Sequence, residues 1–310
     1  MEDNRHIVEK ADFLVAQLTS GGLLQPAQAD KFIQLAIDAS VLVSMMSRVD
    51  MKSPKELREK IRYGSRALTG GTEAVALPAA RRSRPDTSKV ELDAQLVKAE
   101  SRMSFESVED SIEQGNFTDT VQESLGERIA LDLEDLGING DTSSTDDLLQ
   151  VLDGLRVQAT TNISNAGGAT LQRSVLKDVL KTMPSEFRRD KRSLRFMTAD
   201  EAVIDWQESI GDRATPLGDS NAVGMDVPKF QGIPVVDVPV FPTNLGLGTD
   251  ETELLFSDPA NALFGVWRDI RIDTDKDVKA GVWIIVVTAR VDFKWTEETA
   301  VVKGTEIKAA

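Results

Sequence analysis

Few residue types in this 310-residue chain could carry out catalysis or hold a metal ion. The sequence has no cysteine and a single histidine, His6. Without cysteine, disulfides, thiolate nucleophiles and thiolate metal sites are excluded. We interpret His6, in a predicted N-terminal helix, as a surface residue. Histidine-based triads and histidine-rich metal sites are therefore not expected.

One segment begins like a calcium-binding loop, with Asp273, Asp275 and Asp277 at alternate positions. A calcium loop of this type needs glycine at its sixth position and glutamate at its twelfth. The sequence has Val278 and Ile284 there. We interpret the segment as an acidic turn and predict no metal site.

Two further patterns could suggest chemistry. The glycine-rich stretch Gly246–Glu251 lacks the lysine of a phosphate-binding loop. The acidic cluster Asp132, Glu134 and Asp135 has no evident partner in the sequence, so we interpret it as a solvated helix face. No catalytic residue, cofactor or metal is predicted, and an α/β enzyme that uses carboxylates remains only a third hypothesis.

The bulk composition is that of a globular protein, with 41% hydrophobic and 28% charged residues. The net charge of −15 argues against a general nucleic-acid binder. No signal peptide is visible. The longest apolar run, residues 280–289, is far shorter than the roughly 20 residues that span a bilayer, so it predicts a buried strand and no membrane association.

The first part of the chain predicts a jointed arm followed by a hairpin. Two amphipathic helices joined by Gly21 and Gly22 predict an N-terminal arm over residues 1–51. Residues 52–104 predict one long β-hairpin with a tip rich in Gly, Pro and small residues. The apolar phase changes after Leu96, which indicates a bulge or a strong twist. A two-stranded hairpin is marginal alone and should lie on another surface.

A long amphipathic helix is predicted next, within residues 105–141. Asn116 or Thr118 could cap its start, and Gly137 with Asn139 and Gly140 should end it. Its apolar stripe consists of Val121, Leu125, Ile129, Leu133 and Leu136. Its opposite face carries Glu123, Glu127, Glu134 and Asp135.

The remainder alternates between helices and strands and then becomes mainly β. A helix capped by Thr145, a helix that stops before Pro184, and a capping box of Thr198 and Glu201 predict an α/β domain with a mixed sheet over residues 142–262. Residues 263–310 predict closing strands. One of them carries Val291, which begins an alternating pattern typical of a strand with one buried face.

The charges of the hairpin and the helix are segregated. Residues 48–89 hold eleven basic and five acidic residues, whereas residues 119–135 hold six acids and one arginine. Solvated faces would explain this pattern. The sharper hypothesis is that the basic hairpin of one copy lies on the acidic helix of the next, which would steer assembly and set its register. The predicted inter-subunit residues are Arg62, Arg66, Arg81, Arg82, Arg84, Glu123, Glu127, Glu134 and Asp135.

The order of these segments resembles the major capsid proteins of tailed phages, which have the Hong Kong 97 type fold. The stretch at 21–38, "GGLLQPAQADKFIQLAID", resembles the N-arm of that family, and residues 52–104 resemble its E-loop. "NFTDTVQESLGERIALDLEDLGINGD" resembles the spine helix of its peripheral domain. Residues 142–262 resemble its axial domain, and residues 263–310 its closing peripheral strands. The implied fold class is α+β.

This resemblance implies a structural role. Copies would form hexamers and pentamers of an icosahedral shell that encloses phage DNA without reading its sequence. The protein would be assembled in the host cytoplasm and belong to the virion. A portal and decoration proteins are expected partners. Because the arm begins almost at once, we also expect either a separate scaffold or a chain that has already been shortened. The alternative is an encapsulin-like nanocompartment shell that holds cargo enzymes; the long arm and the extended hairpin favour the phage capsid.

Overall fold

The computed structural model describes residues 40–63, 66–71, 73–106, 117–211, 228–246 and 248–309. Side chains at 117–123 and 269–270 are not described. The predicted N-terminal helices, His6 and the capping candidate Asn116 lie outside the described residues.

The described residues form twelve strands and four α-helices. The strands are β1 (Ser47–Asp50), β2 (Lys55–Arg62), β3 (Asp86–Asp93), β4 (Gln95–Ser104), β5 (Ile163–Thr170), β6 (Arg195–Thr198), β7 (Lys229–Phe230), β8 (Ile233–Asp237), β9 (Glu251–Ser257), β10 (Ala262–Asp277), β11 (Val282–Trp295) and β12 (Val302–Lys308). The helices are α1 (Phe117–Asn139), α2 (Leu155–Gln158), α3 (Arg173–Thr182) and α4 (Asp200–Gly211).

A four-stranded sheet with the order β1-β10-β11-β4 lies beside α1. Strands β10 and β11 form a long antiparallel hairpin, β1 runs parallel to β10, and β4 runs antiparallel to β11. Val291, Phe293 and Trp295 all point into the core. The alternating pattern therefore correctly indicated a strand with one buried face.

A mixed six-stranded sheet has the order β5-β12-β9-β6-β8-β7. Strand β12 is parallel to β5 and antiparallel to β9. Residues 302–308 thus belong to this sheet and not to the closing strands of 263–310, among which the sequence placed them. The partners of β12 are distant in sequence, so no local pattern could assign it.

Alternate residues of β6 and β9 face two different cores. Phe196 and Phe256 stack at a centroid distance of 4.3 Å and pack with α3 and α4. Met197 and Leu255 point the other way, into a core that also contains Leu136 of α1. The central strands β6 and β9 are therefore buried on both faces, because both sides of the sheet are covered there.

Helix α1 extends to Asn139, so Gly137 lies inside its last turn and does not end it. A Cβ atom at Gly137 would approach the Phe293 ring to 2.8 Å. That ring is fully buried and stacks on Phe264. Glycine is therefore present here because the helix backbone packs directly on β11.

Two predicted helix starts are wrong. The helix expected from Thr145 is replaced by a 3-10 turn at Leu149–Val151 followed by α2. The Asp146 carboxylate accepts the N–H groups of Leu148 and Leu149 and holds this tighter turn. Thr198 does not cap α4, because it lies in β6 and its hydroxyl donates to the Glu253 carbonyl at 3.0 Å.

Replacing Gly154 by alanine is expected to destabilise the fold by about 1–3 kcal/mol, as overpacking does in other cores. A Cβ atom there would lie 2.5 Å from the Ile138 carbonyl oxygen and 2.7 Å from the Gly140 nitrogen. Both are backbone atoms, and Gly154 N–H donates to Gly140 O at 2.8 Å. The two backbone segments therefore cannot move apart without breaking this hydrogen bond. Urea unfolding would measure the loss. Gly70→Ala is the matched control, because no atom lies within 4 Å of that Cβ position, and an equal loss there would contradict this account.

Candidate inter-subunit surfaces

The hairpin (residues 55–93) consists of β2 paired with β3 in the register Lys55↔Asp93 to Arg62↔Asp86. The expected hairpin of 52–104 is therefore too long, because β4 pairs with β11 in the four-stranded sheet. The chain changes sheets at Ala94, whose N–H donates to the Pro54 carbonyl at 2.9 Å. This change of sheet, and not a bulge, causes the phase shift in the apolar pattern.

The root of the hairpin is anchored in a small core of its own. Leu92 is completely buried, together with Ala94, against Val49, Met51 and Leu263. The anchor therefore draws on the segment before the hairpin as well as on β10.

A buried carboxylate completes this anchor. Asp292 is 3% exposed and accepts the Asp93 N–H at 2.8 Å and the Phe293 N–H at 2.9 Å. Burial raises the pKa of Asp292, against the opposing effect of those two N–H donors. The hairpin is thus bound to β11 through its backbone at the point where β3 ends.

Towards the tip of the hairpin, two cations of β2 contact residues outside the hairpin in the same chain. We call this group of residues the latch; it consists of Lys60, Arg62, Glu186, Phe187 and Glu297. Lys60 and Arg62 both bind the Glu297 carboxylate, the latter at 3.3 Å. Arg62 also pairs with Glu186 and lies 4.9 Å from the centre of the Phe187 ring. The ion-pair partners that this structure shows for Arg62 therefore lie on its own subunit.

The pKa of Glu297 reflects this contact. Burial alone would raise it, but hydrogen bonds from Lys60 and Thr299 and the charges of Lys60 and Arg62 hold the pKa below its ordinary value. A lowered pKa means that the carboxylate stabilises the folded chain above its unfolded pKa, and that this contribution is lost as the pH falls through the folded pKa.

Glu297→Gln is expected to loosen the hairpin without unfolding the chain. The amide removes the charge that holds Lys60 and Arg62, a loss of about 1 kcal/mol for a partly exposed network. Amide hydrogen exchange in β2 should accelerate about fivefold, as expected for a 1 kcal/mol shift in a local opening equilibrium. Glu298→Gln is the control, since Glu298 accepts from Thr160 and Thr161 and is not in contact with the hairpin. Equal acceleration in both variants would refute the latch.

The tip of the hairpin, residues 63–85, carries cations without acidic partners. The stem cations are paired, with Lys55 at 2.6 Å from Asp93 and Lys89 at 3.2 Å from Glu59. In contrast, none of the tip arginines forms an ion pair with another described residue; these are Arg66, Arg81, Arg82 and Arg84, all exposed. The tip therefore presents a net positive charge to solvent.

The acidic residues predicted on α1 do not share one environment. Glu127 is exposed and Asp135 is half-buried, accepting the Asn139 amide at 2.7 Å. Glu123 lies in the helix, but its side chain is outside the described set. Glu134 is only 1% exposed, so it does not belong to the exposed acidic face on which the sequence placed it.

Glu134 instead binds the segment that precedes the hairpin. Its carboxylate accepts the buried N–H of Leu42, and the N–H of Val41 also contributes. Burial raises the pKa of Glu134 against the opposing effect of these donors. Glu134 therefore joins α1 to the segment at residues 41–42 through buried hydrogen bonds.

The sequence alone did not indicate the roles of three carboxylates that bind the hairpin: Glu186, Asp292 and Glu297. Lys60 and Arg62 are two residues apart in β2 and therefore share one face of the strand. Their partner Glu297 lies 235 or more residues further along the chain, where no local pattern marks it. Only the tertiary fold brings these groups together.

The described residues show no group of three or more His, Asp or Glu side chains arranged to hold a metal ion. In the acidic segment, the Asp277 carboxylate accepts the N–H groups of Lys279 and Ala280 and closes the turn between β10 and β11. Among the helices that the structure describes, none is long and apolar enough to cross a bilayer.

Comparisons with known proteins agree with this architecture. A family model described as the Phage capsid family matches residues 20–305. A putative prophage capsid protein of Bacillus subtilis strain 168, YqbE, is 35% identical over 309 residues, covering 98% of this chain and 99% of that protein.

Solved structures show the same fold at lower identity. A chain of the satellite phage P4 procapsid that includes the size determination (Sid) protein aligns over 100% of this chain and 99% of its own, with 16% identity and a TM-score of 0.66. A chain of the SrpI encapsulin complex from Synechococcus elongatus PCC 7942 aligns over 87% and 88%, with 11% identity and a TM-score of 0.59. The expected α+β fold of the Hong Kong 97 type is confirmed.

The match to the family covers nearly the whole chain, and the relative from Bacillus subtilis is similar along its full length. Two packed sheets, a long helix and a projecting hairpin are the corresponding architecture. The chain therefore belongs to the phage capsid family, and it is a structural capsid protein of the virion.

Proposed function

We propose that copies of this protein form hexamers and pentamers that close an icosahedral shell around phage DNA, with the hairpin of each subunit lying on a neighbour. The observation that supports this most is the surface of the hairpin. Six of its large apolar side chains are 40–85% exposed: Leu57, Ile61, Tyr63, Leu68, Val75 and Leu77. An isolated two-stranded hairpin with exposed apolar groups is marginal in water. Covering these side chains would contribute on the order of 1 kcal/mol each.

The tip arginines suggest where the hairpin would lie. We propose that Arg66, Arg81, Arg82 and Arg84 contact the acidic face of α1 in the neighbouring copy, around Glu127. Glu123 and Asp135 would belong to the same face. Arg62 and Glu134 are no longer proposed for this contact, because their partners lie in their own chain.

The two sheets suggest the division of the subunit. We assign the four-stranded sheet and α1 to the peripheral domain and the six-stranded sheet, including β12, to the axial domain. The N-terminal arm would join the peripheral domain at residues 40–50, where β1 pairs with β10. The hairpin would then be the E-loop, with its bounds at 55–93.

Assembly in the host cytoplasm, on a portal and with a separate scaffold, is the expected pathway for such a shell. Decoration proteins are further candidate partners. An encapsulin-like nanocompartment is the second candidate, because the SrpI encapsulin chain shares this fold. What the particles contain, phage DNA or a cargo enzyme, would distinguish the capsid from the nanocompartment.

Cryo-electron microscopy of the purified protein, expressed alone and with its neighbouring genes, would test the proposal. Closed shells built from five- and six-membered rings are expected, with density for the hairpin over an adjacent subunit. Particles filled with DNA in an infected or induced host would support the capsid, and particles filled with a cargo enzyme the nanocompartment. Rings in which the hairpin tip contacts only its own subunit would overturn the proposed contact.

A further inference from the structure

A cavity of about 370 Å³ lies where α3, the loop that follows it and the turn between β7 and β8 meet. This volume far exceeds the ~15 Å³ that a single water molecule needs. Its polar lining consists of Lys177, Lys181, Ser185, Arg188, Lys191 and Gln231. We call this the basic cavity. It lies in the six-stranded domain, and its residues are not members of the latch.

Four of the six polar lining residues are cationic, and none of the described residues that line the cavity is a carboxylate. Lys177 has one weak partner outside the lining, Asp178 at 3.6 Å. Lys181, Arg188 and Lys191 form no ion pair with any other residue that the structure describes. Converging like charges repel one another unless an anion neutralises them. This concentration of positive charge is unusual in a chain whose net charge is −15.

The nearest acid in the same loop is already occupied. Glu186 follows Ser185 directly, but its carboxylate pairs with Arg62 of the hairpin. Asp190 accepts the Arg192 N–H within the loop at 3.0 Å and does not line the cavity. No carboxylate of the described residues pairs with Lys181, Arg188 or Lys191, so these three cations are open to an anionic ligand.

The fold sets the backbone positions of several donors and holds the side chain of Arg188. Lys177 and Lys181 are one turn apart on α3 and so point to the same side. One guanidinium nitrogen of Arg188 donates to the Leu180 carbonyl at 3.3 Å, while its Nε is buried without a hydrogen-bond partner among the described residues. Gln231 has a φ of 52° and precedes Gly232 at 83°, which fixes the turn that carries its amide over the cavity.

We infer that the basic cavity binds phosphate groups. A planar guanidinium, three ammonium groups, a hydroxyl and an amide form a donor set suited to an anion with several oxygens and more than one negative charge. The phosphates could come from a free polyphosphate or from a nucleic-acid backbone. Both present the same chemistry to the cavity.

Isothermal titration of the full-length protein with inorganic pyrophosphate, at constant ionic strength, tests this inference. The wild type should show saturable binding to one site per chain. The variant Lys181→Gln/Lys191→Gln should bind about tenfold more weakly, because it loses two charge-assisted contacts. Both side chains are exposed, so the fold should persist, and circular dichroism would verify this.

Arg189→Gln/Arg192→Gln is the matched control. It removes the same amount of charge from the loop that follows α3, at exposed residues that do not line the cavity. Its pyrophosphate affinity should stay within about twofold of wild type, as expected for screened surface charges. Equal loss in both variants, unchanged binding in the cavity variant, or no saturable binding by wild type would each overturn the inference.

A second arm distinguishes the sources of phosphate. A fluorescent 20-base-pair duplex is titrated with the same three proteins, and pyrophosphate is added as competitor. Duplex binding that the cavity variant loses and pyrophosphate displaces would identify the nucleic-acid backbone as a ligand. Binding of pyrophosphate alone would identify a free polyphosphate. This measurement needs no assembled shell, so it can succeed even if the proposed hairpin contact is wrong.

Discussion

A variant with Arg66, Arg81 and Arg84 all changed to glutamate is expected to fold normally but to assemble about 100-fold less readily. Each exposed ion pair is worth about 0.5 kcal/mol, and reversal replaces that attraction by a similar repulsion. Three such sites amount to about 3 kcal/mol per subunit contact, or about 100-fold in its equilibrium constant. All three side chains are exposed and have no ion-pair partner among the described residues, so the isolated chain loses little. Sedimentation velocity would measure the fraction in rings and shells.

The control for this experiment is Lys98→Glu/Arg173→Glu/Lys279→Glu. It changes the net charge by the same amount at exposed residues outside the hairpin. Assembly of this control at nearly the wild-type level would locate the effect in the tip. If the tip variant assembled like wild type, the proposed contact with α1 would be wrong. A further reversal, Glu127→Arg in the tip variant, should restore part of the assembly.

Glu134→Ala is expected to destabilise the chain by about 2–4 kcal/mol, because it leaves a buried N–H group without an acceptor and opens a cavity. The Leu42 N–H is the donor that loses its partner. The segment at residues 41–43 should then detach from α1. Urea unfolding gives the loss in stability, and hydrogen exchange at residues 41–43 shows whether the detachment is local. Asp132→Ala is the control, since it removes only the exposed pair with Arg128; a similar loss there would contradict the role of Glu134.

The pH dependence of Glu134 has a defined sign. Its folded pKa is raised above the ordinary value of 4.5, so the folded state takes up a proton more readily than the unfolded state. Its contribution to stability is fully present below the unfolded pKa and is lost as the pH rises through the folded pKa. The stability of wild type relative to Glu134→Gln should therefore improve between pH 7 and pH 4.5. An unchanged or opposite difference in urea midpoints would show that the pKa of Glu134 is not raised in the folded chain.

The sequence was sufficient to predict helices and strands whose apolar pattern lies within one segment. It was not sufficient where a residue's role depends on a contact with a distant part of the chain. The alternation in β11 and the stripe ending at Leu136 were sufficient because one element carries the whole pattern. Glu134 lies beside that stripe, and its role depends on a donor 92 residues earlier in the chain. A helical wheel shows which face it occupies but not that Leu42 covers it.

The basic surface of the hairpin was predicted only in part, again because some of its contacts involve residues that are distant in the sequence. The exposed arginines of the tip follow from composition. The internal partners of Arg62 do not, because Glu186 and Glu297 reach it only after the six-stranded sheet and β11 are in place. Likewise, the strand-like pattern of 302–308 carries no information about which sheet it joins.

The position of Ala94 has a mechanical consequence. It is the single residue between β3 and β4, so the hairpin acts as a lever whose fulcrum is fixed to the four-stranded sheet. A lever of eight residues is about 26 Å long, and a 10° rotation about its fulcrum would carry its far end about 4–5 Å. The same rotation would apply torque directly to β4, with no flexible linker to absorb it. Force exerted by a neighbour on the tip would thus be transmitted to the sheet that supports the long helix.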